Sequence, residues 1–251
     1  MDSTDVRPSR PRDAAAPERP LLSQAVRPWA AWVLLSCAVI VTVLGALLAH
    51  QTRANGFDRA VDAPIIRAFS DHQVTAYLLG RPGSELPAFL MVVAIVAVCL
   101  LAGRLSGALL AALGLAVSEG LTEEVLKPLF HRTYVGSVVY PSGHMTAIAA
   151  LAATVTVLLL LPPQPARARV LRYLVLAAAY VLVVAVPVGL IGLRWHYFTD
   201  IVGGAAVSVG TVIAVAFILD TPRVRRSFAG PSRWLRVTVS RAMLAERKPA
   251  P

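Results

Sequence analysis

The chain has 251 residues, 57% of them hydrophobic and 15% charged, with a formal net charge of +10. Soluble domains carry roughly 25% charged residues, so this composition excludes an ordinary soluble globular domain. The basic excess lies mainly in the two tails and one short loop, the pattern of membrane topology signals, and no nucleic-acid partner is expected.

Residues 1–28 are polar and rich in Pro and Arg, and read as a disordered tail. Residues 29–48 form the first apolar run long enough to span a bilayer, with no small-residue cleavage site after it, which predicts an uncleaved anchor. Residues 50–84 read as a polar loop with short amphipathic pieces, such as 57–69, and a turn at Arg81-Pro82-Gly83. His50, His72 and Arg81 make this loop a candidate cover for a site. Further spans are predicted over residues 86–102, 109–130, 145–161, 170–193 and 201–219. Gly103 to Gly107 is a tight turn, Pro162-Pro163 closes the fourth span, and Pro187 is placed to kink the fifth. Gly203, Gly204, Ala205 and Ser208 give the sixth a surface for close helix packing. The fold class is therefore all-α, a polytopic six-transmembrane-helix bundle over residues 29–221 as one domain. Cys37 and Cys99 lie inside apolar runs and read as small hydrophobes, neither a disulfide nor a metal site.

With six spans, 17 Lys and Arg residues fall on the side of both tails and 7 on the other. That bias places both termini in the cytoplasm. The basic tail over residues 222–251 has two open readings. In one, Trp234, Leu235 and Val239 interleave with Arg233, Arg236 and Arg241 to form an interfacial helix. In the other it is a solvated basic tail that only fixes topology.

Three elements carry chemistry. Glu119, Glu123 and Lys127 are spaced i, i+4, i+8 and share one face of the third span. Charges at this depth are costly, so they must face the bundle interior or its end. Next, Ser142 of Tyr140-Pro141-Ser142-Gly143-His144 can cap the fourth helix, whose amides then form an anion site that Gly143 lets a ligand approach. His144 stands in the first turn as a proton donor. Finally, His196 precedes Asp200 by four residues, a spacing that sets imidazole beside carboxylate and makes the far ring nitrogen a better nucleophile. Each also has a plain structural reading: an ion pair that orients a helix end, an N-cap beside an exposed histidine, and a second cap.

Together these elements resemble the type 2 phosphatidic acid phosphatase superfamily, whose motifs are K-x6-R-P, P-S-G-H and S-R-x5-H-x3-D. The second stands intact as Pro141-Ser142-Gly143-His144, and the third keeps His196-x3-Asp200. In the first, Lys127 is present, but Tyr134-Val135 occupies the Arg-Pro positions; in the third, Gly189-Leu190 replaces Ser-Arg. Arg132 and Arg194 are the nearest cations and the expected replacements. The resemblance implies that His196 attacks phosphorus, Asp200 orients it, and His144 protonates the leaving oxygen and then activates water. Lys127, Arg132, Arg194 and the Ser142 and Gly143 amides would hold the phosphoryl oxygens. It implies a metal-independent reaction without cofactor on a lipid phosphate monoester or diphosphate in the bilayer of a bacterial-type plasma membrane, and the Lys and Arg bias places the site at its outer face. The oligomeric state is left open. The alternatives are a non-catalytic lipid-phosphate binder or translocator of the same fold, a serine hydrolase using Ser142, and a transporter using Glu119 and Glu123.

Overall fold

The computed structural model describes residues 19–160, 167–227 and 238. Apart from one two-residue hairpin, its elements are helical among the described residues. In chain order they are α1 (Arg27–Leu48), α2 (Gly56–Ala68), α3 (Gln73–Gly80), α4 (Glu85–Leu101), α5 (Leu105–Gly120), α6 (Lys127–Phe130), β1 (Thr133–Tyr134), β2 (Ser137–Val138), α7 (Gly143–Leu160), α8 (Arg167–Gly192) and α9 (Phe198–Leu219). A π-helical turn over Leu121–Leu126 joins α5 to α6.

Among the described residues, four helices are long and apolar enough to cross a bilayer: Arg27–Leu48, Leu105–Phe130, Arg169–Gly192 and Phe198–Leu219. A fifth span results if Gln73–Gly83 and Glu85–Leu101, bent by 42° at their junction, count as one. The molecule is thus a multi-pass membrane protein, but a count of six spans is not reached. The predicted fourth span, α7, is a shorter apolar helix with Met145 and Ala147 to Leu151 buried. It is wrapped by α5, α8 and α9, so protein rather than lipid covers most of its length. Such a helix has no need to match the bilayer thickness.

The predicted loop over residues 50–84 is largely helical. α2 carries an Asn55 cap, whose Oδ1 accepts from the Asp58 amide at 2.8 Å, and α3 packs along α8. Part of the stretch read as a disordered tail is held in place. The amides of Leu21 and Leu22 each donate to a carboxylate oxygen of Asp220, both at 2.8 Å, and both side chains are buried. The first 18 residues, Pro162-Pro163 and the predicted interfacial helix with Trp234, Leu235 and Val239 lie outside the described residues.

The small residues of α9 bring it against the start of α7. A Cβ on Gly203 would lie 2.5 Å from the Tyr140 ring, and one on Gly204 would lie 2.5 Å from the Ser142 carbonyl oxygen. Ser208 seals the contact by donating to the Thr146 carbonyl at 2.6 Å. This close approach sets the two histidine-bearing segments side by side.

Candidate active site

α8 ends in a Schellman turn. The Trp195 amide donates to the Leu190 carbonyl and the Arg194 amide to that of Ile191, both at 2.9 Å. Arg194 occupies the left-handed position of that turn, φ +59°, where glycine is usual. The reversal throws Arg194, Trp195 and His196 toward the bundle end.

α9 begins immediately afterwards, and its first amides are filled by carboxylates. Tyr197 N donates to Asp200 Oδ2 at 2.9 Å, Thr199 N to Asp58 Oδ1 at 3.0 Å, and Phe198 N to Asp62 Oδ1 at 3.2 Å. Asp58 and Asp62 come from one face of α2, four residues apart, and both are buried. Three carboxylates at a helix N-terminus suit its macrodipole, but they also exclude a substrate anion from that terminus.

Arg132 balances them. It is fully buried, with Nη1 2.6 Å from Asp200 Oδ1 and Nη2 2.6 Å from Asp58 Oδ2. Nη1 also donates to Thr199 Oγ1 at 2.7 Å, and the guanidinium lies 4.4 Å from the centre of the Tyr197 ring. The expectation that Arg132 binds substrate phosphate is therefore corrected. It stands behind the site, paired at both ends, and lines neither cavity.

A cavity of about 840 Å³ opens in front of this network. His144, His196, Lys127, Arg194 and Gly143 line it, with Glu119 and Glu123 on the α5–α6 side and Ala88, Phe89, Leu115 and Ala147 as an apolar wall. The ring centroids of His144 and His196 are 6.3 Å apart. Lys127 Nζ donates to both carboxylate oxygens of Glu123, at 2.7 Å each. Glu119, Glu123 and Lys127 all face the cavity from a stretch that contains the π-helical turn, and such turns recur at functional sites. A Cβ on Gly143 would lie 2.6 Å from Glu123 Oε1, so a larger residue there would make that carboxylate shift.

Asp200 approaches His196 without a hydrogen bond: Oδ2 lies 3.9 Å from Nδ1, and that nitrogen is buried without a partner. Ser142 is fully buried, and its Oγ accepts from the Met145 amide at 3.4 Å, so the serine caps α7 and turns away from the cavity. Only its neighbours Gly143 and His144 reach the opening.

The hairpin tip forms the cavity's rim. Val135 at φ +48° and Gly136 at φ +83° make the turn between β1 and β2, and Val135 is 88% exposed. On its other side is a second cavity of about 590 Å³, lined by Arg53, Arg59, Asp62, Tyr134, Arg194, His196 and Tyr197 among others. His50, His72 and Arg81, the loop groups singled out by sequence, line neither cavity. Asp58, Asp62, Arg53 and Arg59 were missed; the only signal for the first two was their spacing of four on an amphipathic stretch.

Burial first, then the Asp58 charge, pushes the Asp62 carboxyl up to about 7, against the lowering pull of the Phe198 amide. Burial also raises the Tyr134 phenol and pushes that of Tyr197 up to about 12, so both rings stay neutral walls at ordinary pH.

Two histidines and two cations from separate helix ends converge at one end of a membrane bundle, an arrangement whose chemistry suits an anionic group. Residues 107–225 match the PAP2 superfamily, so this stretch is similar to that superfamily, whose members are phosphatases. No curated protein and no solved structure gives a significant match. The matched stretch holds Lys127, His144, Arg194, His196 and Asp200, while α1 to α4 fall outside it.

Proposed function

We propose that the protein is an integral membrane phosphatase that hydrolyses a lipid phosphate monoester or diphosphate through a phosphohistidine, without a metal. The observation that carries this reading is the meeting of His144 and His196 over one cavity with Lys127 and Arg194. The apolar wall of Ala88, Phe89, Leu115 and Ala147 suits a substrate whose chain stays among lipid while its phosphate meets the histidines.

In this mechanism Nε2 of neutral His196 attacks phosphorus, and the P–O bond to the lipid breaks as protonated His144 gives its proton to the leaving oxygen. Asp200, beside Nδ1, favours the tautomer with Nδ1 protonated and steadies the charge that develops on the ring. Water then attacks the phosphohistidine. His144 takes its proton, the P–N bond breaks, and inorganic phosphate is freed with His196 neutral again. Lys127 and Arg194 stabilise the charge on the phosphoryl oxygens, helped by the first-turn amides of α7. Lys127 must exchange Glu123 for the substrate. A partly exposed pair of this kind is worth about 0.3–0.5 kcal/mol, which a phosphate dianion readily replaces. The charge bias of the loops supports a site on the outer face of a plasma membrane, with both termini cytoplasmic.

The test is phosphate release in detergent, with chelator present, from a panel of lipid phosphates. Wild type should turn over at least one of them and His196→Ala none. Release that survives His196→Ala overturns the mechanism. Absence of release by folded wild type on every lipid favours the non-catalytic binder, for which the withdrawal of Arg132 into the core is the supporting observation.

A further inference from the structure

The second cavity lies across His196 and Arg194 from the apolar wall, and its lining is different in kind. Arg53 and Arg59 come from the segment that leads into and begins α2, and Arg194 from the Schellman turn. All three are exposed, and among the described residues none of their guanidinium groups has a carboxylate within ion-pair distance. Among the described residues, Arg59 donates to the nearby Ala54 carbonyl alone, at 3.2 Å. The acidic lining residue, Asp62, has Oδ1 turned to the Phe198 amide. Three guanidinium groups around one concave site, faced by a single carboxylate that is turned to a backbone amide, give it a positive potential that draws anions. Guanidinium forks match the oxygens of a tetrahedral dianion.

The position says which dianion. Attack in line requires the leaving lipid oxygen to lie opposite His196, on the His144 side. A phosphoryl group on the leaving lipid is therefore carried away from the second cavity. Phosphate freed from His196 is not so constrained. Arg194 and His196 line both cavities, so contact with the anion can be kept while it passes from one to the other. We infer that Arg53, Arg59 and Arg194 form a phosphate subsite behind His196, which receives inorganic phosphate after hydrolysis and gives it an exit separate from that of the lipid. This inference rests on the phosphatase reading, although the subsite itself is testable without turnover.

The experiment uses the full chain in detergent at fixed ionic strength and the double variant Arg53→Gln/Arg59→Gln. Both residues are exposed, so the fold should survive, and a melting curve checks this. Inorganic phosphate is titrated by calorimetry into His196→Ala protein with and without the two changes. Affinity should fall at least tenfold when the arginines are removed; an unchanged affinity overturns the subsite. In the otherwise wild-type background, the inhibition constant of inorganic phosphate should rise at least tenfold while KM for the lipid moves less than threefold. A tenfold rise in KM with an unchanged inhibition constant would mean that the arginines hold a lipid headgroup, and also overturns the inference. Loss of phosphate binding in the double variant of a protein that hydrolyses no lipid phosphate would sink the phosphatase reading and leave an anion site standing.

Discussion

Removing Arg132 leaves Asp58 and Asp200 as unpaired carboxylates in a buried setting, whereas removing Arg194 uncovers nothing of the kind. Both are arginines near the same histidine, and burial separates their roles. Breaking a buried pair typically costs 3–5 kcal/mol. Arg132→Gln should therefore lose a large part of its thermal stability in detergent. Arg194→Gln should melt within a degree or two of wild type and lose activity by roughly 10²–10³-fold, the range for removing one donor to a developing oxyanion. Equal melting losses in the two variants would contradict this division. Asp62 makes a separate prediction at the same scale. Its folded carboxyl titrates at about 7 against an ordinary value of 3.8. The folded state thus holds a proton that the unfolded chain releases. Stability should fall as pH rises between about 4 and 7 and level off above. Asp62→Asn keeps an oxygen for the Phe198 amide and should flatten that slope; a slope as steep as that of wild type would assign it to another group. The sequence showed His144, His196 and Lys127 because their spacing is local. It could not show Arg132 in its buried role, because Asp58 lies 74 residues away and nothing in a linear reading links them.

Helix ends hold these side chains, and the packing of α7 on α9 sets their separation. Gly204 is the tightest point of that contact that involves backbone. A methyl group there meets the Ser142 carbonyl at 2.5 Å, and a backbone atom cannot swing aside as a side chain does. Gly204→Ala should cost about 1–3 kcal/mol. It should also lower kcat, since Ser142 stands two residues before His144. Gly120→Ala is the matched control on a helix with nothing within 4 Å of the new methyl, and should be neutral or slightly stabilising. Wild-type activity and melting in Gly204→Ala would show that the α7–α9 spacing does not position His144. The small residues of α9 and the capping serine of α7 were legible in the sequence because each follows a local rule. The π-helical turn and the docking of α2 on the start of α9 were not. The first is a shift of register inside a charged stretch whose residues also fit ordinary helical spacing, and the second a long-range contact made by two aspartates in what read as a loop.

Across the molecule, α9 separates the two ends. Its 22 residues rise about 33 Å, close to the hydrocarbon thickness of a bilayer. His196 stands just before it, and Asp220 just after it clasps Leu21 and Leu22. The cavities therefore open at one end, and the N-terminal segment is fastened at the other. The sequence could not foretell this clasp, since Asp220 stood there as a lone acid after an apolar run. The distribution of Lys and Arg, 17 against 7 by the six-span reading, is the basis of the proposal that the cavities face outside. A count of fewer, longer spans does not alter that argument so long as both tails share one side. Labelling with a membrane-impermeant maleimide decides it. Val135→Cys sits on the rim between the cavities at a position 88% exposed, and Arg223→Cys lies exposed beyond α9. The native Cys37 and Cys99 are buried at 7% and 6% exposure and should stay silent. In intact cells Val135→Cys should label and Arg223→Cys should label only after permeabilisation. The reverse order would turn the site to the cytoplasm and require its lipid phosphate to come from the inner leaflet. Labelling of both in intact cells would break the single orientation that the charge bias predicts, since α9 cannot hold both of its ends on one side of the bilayer.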